Sequence, residues 1–201
     1  MAGRFSLARD LAARARAIYE ELGWTVNIST NYASLAADIE LLAGQFAEAE
    51  HILTESCTNL QAWGEQSRLA TQATQLGEAL YGLGRQENAL HWSELAEGCA
   101  ATDDASAQFS WRALRAKILA HRRAFHEAET LAREAVELAA ATDAVSQHAH
   151  VLLSYAEVLS LEGRAPQARE LSSEAIRLLE GKRNLAGSRQ AHAQLSSLAS
   201  A

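Results

Sequence analysis

An all-α fold, built as a solenoid of antiparallel helix pairs, is what this 201-residue sequence predicts, on three observations. Turn positions recur at Gly3, Gly44, Gly84, Arg123 and Gly163, which by subtraction stand 41, 40, 39 and 40 residues apart. Around each turn the same columns return. Five residues on are Ala8, Ala49, Ala89, Ala128 and Ala168; twelve on are Ala15, Ser56, Ala96, Ala135 and Ala175; eight on are Leu11, Ile52, Trp92, Leu131 and Leu171. Seven before the turn are Ala37, Gly77, Ala116 and Ala156. Small residues recurring on one helical face mark the places where two helix axes come close, because a methyl group fits there and a longer side chain does not. The third observation is composition. A single proline and 48% hydrophobic residues in alanine-rich periodic runs leave room for a core and little for strands.

Each element follows from these columns. Residues 5–22 have the columns of a second helix with no first helix before them, so Leu7, Leu11 and Ile18 are expected to form an uncovered apolar flank. The first full pair is predicted at residues 29–43 and 46–62, turning at Gly44-Gln45, with a break at Trp63-Gly64-Glu65. The second pair is predicted at 66–83 and 86–101 around Gly84-Arg85. Thr102-Asp103-Asp104 offers short polar side chains to cap the next helix. The third pair is predicted at 105–122 and 125–141; Arg123 in its glycine slot should either avoid positive φ or be strained. Asp143 is expected to cap a helix ending at residue 162, and Pro166 to sit in the first turn of a helix ending near residue 180. Asn184 opens a polar last helix to about residue 200, the usual solvating end of a solenoid. The organisation is therefore a single solenoid over 1–201: a half repeat 1–24, repeats 25–65, 66–104, 105–143 and 144–183, and a capping helix 184–201.

These columns resemble the tetratricopeptide pattern, in which a small residue, a turn glycine seven later, an alanine five beyond and another seven further on define each helical hairpin. The period here is about 40 rather than 34, and the proline that usually closes each repeat is absent; helices about three residues longer would absorb the difference. The resemblance implies a right-handed solenoid whose first helices line a concave groove. The run containing LGEALYGLGRQENAL, SWRALRAKILAHRRAFHEAETLAREAVELAAATDAV and AEVLSLEGRAPQARELSSEAIRLLEGKRN is also similar to the C-terminal repeat region of bacterial adenylate or guanylate cyclase and ATPase signalling proteins. None of the cyclase or nucleotide-binding sequence is present. That likeness implies a non-catalytic protein-interaction scaffold, a detached or truncated C-terminal repeat region, and as the alternative a small-ligand sensor domain regulating an attached nucleotide cyclase or transcriptional effector.

Charge and motifs exclude other classes. With 18 basic and 25 acidic residues the net charge is −7, which disfavours nucleic acid, since phosphate contacts need a basic face. No apolar run approaches a membrane span and no leader pattern opens the chain, so the expected location is the cytoplasm and no membrane partner is expected. Cys57 and Cys99 lack a C-x-x-C context and are expected to be buried or half-buried thiols. His126-Glu127 begins like a zinc-protease helix, but the second histidine is replaced by Thr130. His148 and His150 point about 200° apart on a helix and cannot chelate together. Gly181-Lys182 lacks the upstream glycine of a phosphate loop and reads as a helix end. No enzyme, cofactor or metal is predicted.

The expected partner is a protein or peptide in the groove, or an effector domain of the same polypeptide. Six residues before successive turns stand Asp38, Glu78, Lys117 and Glu157; two and three before stand Tyr81, His121 and Ser160; thirteen and ten before stand Asn31, Ser34, Thr71, Thr74, Ser110 and His150. Arg112 and Arg115 occupy offsets filled by Leu152 and Tyr155 in the next repeat, one turn apart, with Trp111 within stacking reach of Arg115. Either these arginines snorkel or pair with glutamates on neighbouring helices, or Arg112 or Arg115, with Lys117 and His121, receives an acidic group of the partner between acidic rows.

Overall fold

The computed structural model describes residues 4–197, which form helices joined by short turns, with no strand among them. Gly3 and the predicted end of the last helix lie outside the described residues. The chain forms two compact units, Arg4–Ala101 and one that begins at Thr102. The first contains α1 (Phe5–Glu21), α2 (Thr25–Asn27), a π-helical turn (Ile28–Tyr32), α3 (Ala33–Leu42), α4 (Phe46–Trp63), α5 (Gln66–Gly82) and α6 (Gln86–Cys99). The second contains α7 (Ala105–His121), α8 (Phe125–Ala140), α9 (Val145–Leu161), α10 (Ala165–Gly181) and α11 (Leu185–Ser197).

One device closes most of these helices. At Gly84 the residue past the helix donates to Tyr81 O and the next amide, Arg85, donates to Leu80 O, both at 2.9 Å, which satisfies two carbonyls the helix end would leave bare. The same pair of bonds recurs at Gly44, Gly163, Arg123 and Arg183. The motif requires a left-handed residue. Gly44, Gly84 and Gly163 supply it with φ of +72, +74 and +88°, and Arg123 and Arg183 adopt +62 and +56°. Of the two outcomes expected at Arg123 the strained one holds: the hydrogen bonds of the turn override the Cβ clash, which costs about 1–2 kcal/mol. Arg123→Gly should therefore raise stability in a urea titration by about 0.5–1 kcal/mol, after the larger freedom of glycine in the unfolded chain is subtracted. No gain would mean that the Arg123 side chain makes offsetting contacts.

The small columns are where the helices meet. Ala49, Ala89, Ala128 and Ala168 are fully buried, as are Ala37, Ala116 and Ala156. The leucine column eight past the turn is only half-buried in Ile52, Trp92, Leu131 and Leu171, and Leu11 is exposed. In the first unit α3 packs on α4, α4 on α5 and α5 on α6; in the second α7 packs on α8, α8 on α9, α9 on α10 and α10 on α11. Alternate helices also touch, α3 with α5 and α7 with α9. Phe46 starts α4 over the end of α5, its ring 2.6 Å from where a Cβ on Gly82 would stand, so only glycine fits there.

Three expectations need correction. The helix expected from residue 29 begins at Thr25 and is interrupted by the π turn, because its Ser29 and Thr30 carbonyls are drawn to Gln72 of α5. Asp143 does not cap α9, whose N-cap residue is Ala144 and whose first turn has no side-chain cap bond; Thr142 Oγ1 accepts from the Ala144 amide at 3.2 Å in the preceding turn, and Asp143 takes part only through its carbonyl, which accepts from the Val145 amide. Helices 5, 6, 7 and 8 end one or two residues before the predicted points, where the left-handed closures or loops begin. Asp104 and Asn184 cap as expected, accepting from Ala107 N at 3.0 Å and Gly187 N at 3.1 Å. No described helix is long and apolar enough to cross a membrane.

Candidate interaction site

In the first unit the residues of the predicted row fall on α3 and α5. Gln75 bridges the two helices: its Nε2 donates to Asp38 Oδ1 at 2.6 Å and to Ser34 O at 3.2 Å, and its Oε1 accepts from Ser34 Oγ at 3.1 Å. Crowding by protein atoms raises the Asp38 pKa although solvent reaches the residue, and the Gln75 bond opposes that rise. Glu78 and Tyr81 are half-buried further along α5 and are engaged by neighbours.

In the second unit the row lies on α7 and α9. His121 Nε2 is 3.9 Å from Glu157 Oε1, with both side chains about one-third exposed, so the last turn of α7 stands beside the corresponding turn of α9. Gln147 Nε2 donates to Ser106 Oγ at 3.0 Å at the other end of the same two helices. Lys117, one turn before His121, is 7% exposed and held by its neighbours rather than standing open to solvent. His150 is half-buried on α9.

Trp111 organises the arginines. It is buried, and the guanidinium carbons of Arg112 and Arg115 lie 4.2 and 4.5 Å from its ring centroid, so both arginines, not Arg115 alone, stack on the indole. Arg112 is further held by Gln108, through its backbone O at 2.8 Å and Oε1 at 2.6 Å, and by Glu134 of α8 at 3.1 Å. For Arg112 the pairing reading therefore describes the geometry. Two half-buried cations on one ring still leave this face of α7 positive.

Two constellations were not anticipated. Glu129 of α8 accepts from Tyr155 Oη at 2.9 Å and pairs with Arg164 at 2.9 Å and Arg133 at 3.2 Å. Burial works against its charge, but these donors prevail and hold its pKa below the usual carboxylate value. The sequence signal was available: Glu129 stands six after one turn and Arg164 one after the next, and Glu50 and Arg85 repeat that spacing and pair at 2.7 Å. The second is a polar core at the π turn. Gln72, 1% exposed, donates to Ser29 O at 2.7 Å and Thr30 O at 3.0 Å; the single hydroxyl hydrogen of Ser56 serves Ser29 O and Gln72 Oε1. Its signal was a glutamine twelve before the turn, in a column otherwise filled by Tyr32, Trp111 and Val151. Beside it opens a cavity of about 170 Å³ lined by Arg16, Tyr32, Glu48, His51 and Glu55.

Among the described residues no three His, Cys, Asp or Glu side chains stand together as a metal site. Cys57 is buried, its thiol pushed up to about 12, and Cys99 is half-buried and also raised.

No protein-family model matches the sequence. No curated protein matches it either. Among solved structures, the chain is similar to the crystal structure of BtubC (BKLC) from P. vanneervenii, with a TM-score of 0.62 and 18% identity over 97% of this chain and 83% of that one. At that identity the likeness is one of fold.

Proposed function

We propose that this chain is a non-catalytic protein-interaction scaffold, a right-handed tetratricopeptide-like solenoid of antiparallel helix pairs, and that the α7–α9 face takes an acidic segment of a protein partner. The observation that carries the reading is the side-by-side placement of α7 and α9. Arg112 and Arg115 are stacked on Trp111, and His121 stands next to Glu157 on the adjacent helix. Bonds between residues one period apart support the repeat: Ser34 with Gln75, Ser106 with Gln147 and Leu153 with Gln194, each 41 residues in separation. An indole that fixes the Arg115 guanidinium, with paired Arg112 beside it, lowers the entropy lost when Arg115 binds a carboxylate, and Glu157 beside His121 selects for a basic residue next to that carboxylate. The similarity to cyclase-associated repeats makes an effector domain of a signalling protein the natural source of the segment.

The test uses two labelled decapeptides, one rich in glutamate and one rich in lysine. The glutamate peptide should bind with an affinity that falls as salt rises, and Arg115→Gln combined with His121→Gln should weaken it about tenfold with an unchanged melting temperature. Preference for the lysine peptide, or equal binding by the variant, would remove the assignment. A second reading, a small-ligand sensor, draws on the cavity at the π turn. A metabolite that raises the melting temperature while leaving peptide binding unaffected would favour it.

A further inference from the structure

We propose that α1 is a self-association helix, through which two copies of this chain pair antiparallel about a two-fold axis. Leu7, Leu11 and Ile18 of α1 and Leu22 at its C-cap are 47, 53, 54 and 52% exposed, although they are its large aliphatic residues. At about 100° per residue they fall within an arc of about 60°. The helix packs on its own unit through a different face: Ala12 is buried and Ala8 and Tyr19 half-buried, about 100° round from the strip. Arg9 fixes that orientation with a two-pronged pair to buried Glu40, at 2.7 and 2.6 Å. The strip is thus held outward by the packing of α1, and its exposure is not the result of a loosely attached helix.

The spacing within the strip identifies the occupant. From Leu7 the steps are 4, 7 and 4 residues, a palindrome centred between Arg14 and Ala15. Reversing the helix about that centre lays Leu7 on Leu22 of the second copy and Leu11 on Ile18 of the second copy. That is the self-complementarity a two-fold interface requires. Ala15, half-buried beside the centre, is small enough for two helices to approach there. Charge permits the contact. The chain carries −7 overall, but residues 1–24 hold four arginines against three carboxylates, so this segment is nearly neutral and adds little repulsion between two acidic molecules. Area is sufficient as well. Four half-exposed aliphatic side chains offer roughly 350 Å² per copy, and Trp24, half-exposed and stacked on Tyr19 at the strip's end, brings this to roughly 450 Å². A standard interface buries about 800 Å² per partner, of which a little over half is apolar.

The full chain should sediment at twice its 21.7 kDa mass within the range of about 1 to 100 µM, where an interface of this size dissociates when few hot spots strengthen it. Leu11→Glu with Ile18→Glu should return it to the monomer with an unchanged helical spectrum. Should that variant lose its fold, cysteine cross-linking in a Cys99→Ser background decides: Ala15→Cys should form a covalent dimer on mild oxidation, and Ala13→Cys, on the opposite side of the helix, should not. A chain that stays monomeric at 100 µM overturns the proposal and leaves the strip to a different polypeptide. A dimer that survives Leu11→Glu with Ile18→Glu, or that cross-links better through Ala13→Cys, overturns it equally.

Discussion

Phe109→Ala should cost the second unit about 3–5 kcal/mol, the largest loss expected from a single truncation in this chain. Phe109 is 1% exposed, and the buried side chains around it are Ala113, Ala135, Ala139 and Val151, with Val136 and Leu138 at the edge. The cost of a cavity depends on how far the surroundings collapse into it. Alanines have no rotamers to swing, and Val151 is β-branched and stiff, so little of the space a phenyl ring leaves can be refilled. Urea unfolding followed by circular dichroism checks this. Because the chain has two compact units, the expected form is a separate early transition as well as a shift of the whole curve. A loss under about 1.5 kcal/mol would show that α7, α8 and α9 close on the gap, contrary to the tight alanine contacts.

Those contacts are the part of the fold most legible in the sequence. A buried alanine is a local statement about two helix axes, and a column of them at constant offset from a turn repeats the statement in every pair. Ala49, Ala89, Ala128 and Ala168 were readable for that reason, and so were the left-handed turns, where glycine is the chemically favoured residue. Arg183 carries no such mark in the sequence; the closing hydrogen bonds impose its conformation. Orientation within a face was also beyond the sequence. Lys117 shares its offset with Asp38, Glu78 and Glu157, yet it is buried while Asp38 is exposed, because the depth of a long side chain is set by neighbours from other helices. For Arg112 the sequence leaves two roles open, and the bonds to Gln108 and to Glu134 on α8 distinguish them.

The π turn is the feature with the greatest distance between its local sequence and its cause. Nothing in Ile28–Tyr32 asks for an extra residue per turn; what asks for it is Gln72, 43 and 42 residues on from Ser29 and Thr30. Its amide donates to Ser29 O and Thr30 O, which an undistorted helix would keep aligned with its own axis. Gln72→Leu keeps nearly the same volume but removes both donors and the acceptor that serves Ser56. Each buried polar group left without a partner costs about 1–3 kcal/mol, and the apolar gain from leucine offsets part of that, so a net loss of about 2–3 kcal/mol is expected. Ser56→Ala provides the comparison: Gln72 still holds both carbonyls in that variant, and the loss should stay near 1 kcal/mol. Amide hydrogen exchange adds a readout that packing alone would not move, since Gln72→Leu should speed exchange through residues 28–34 while leaving α4 protected. If Gln72→Leu is instead as stable as the parent, the π turn has relaxed to an ordinary helix that satisfies its own carbonyls, and the distortion does not depend on Gln72.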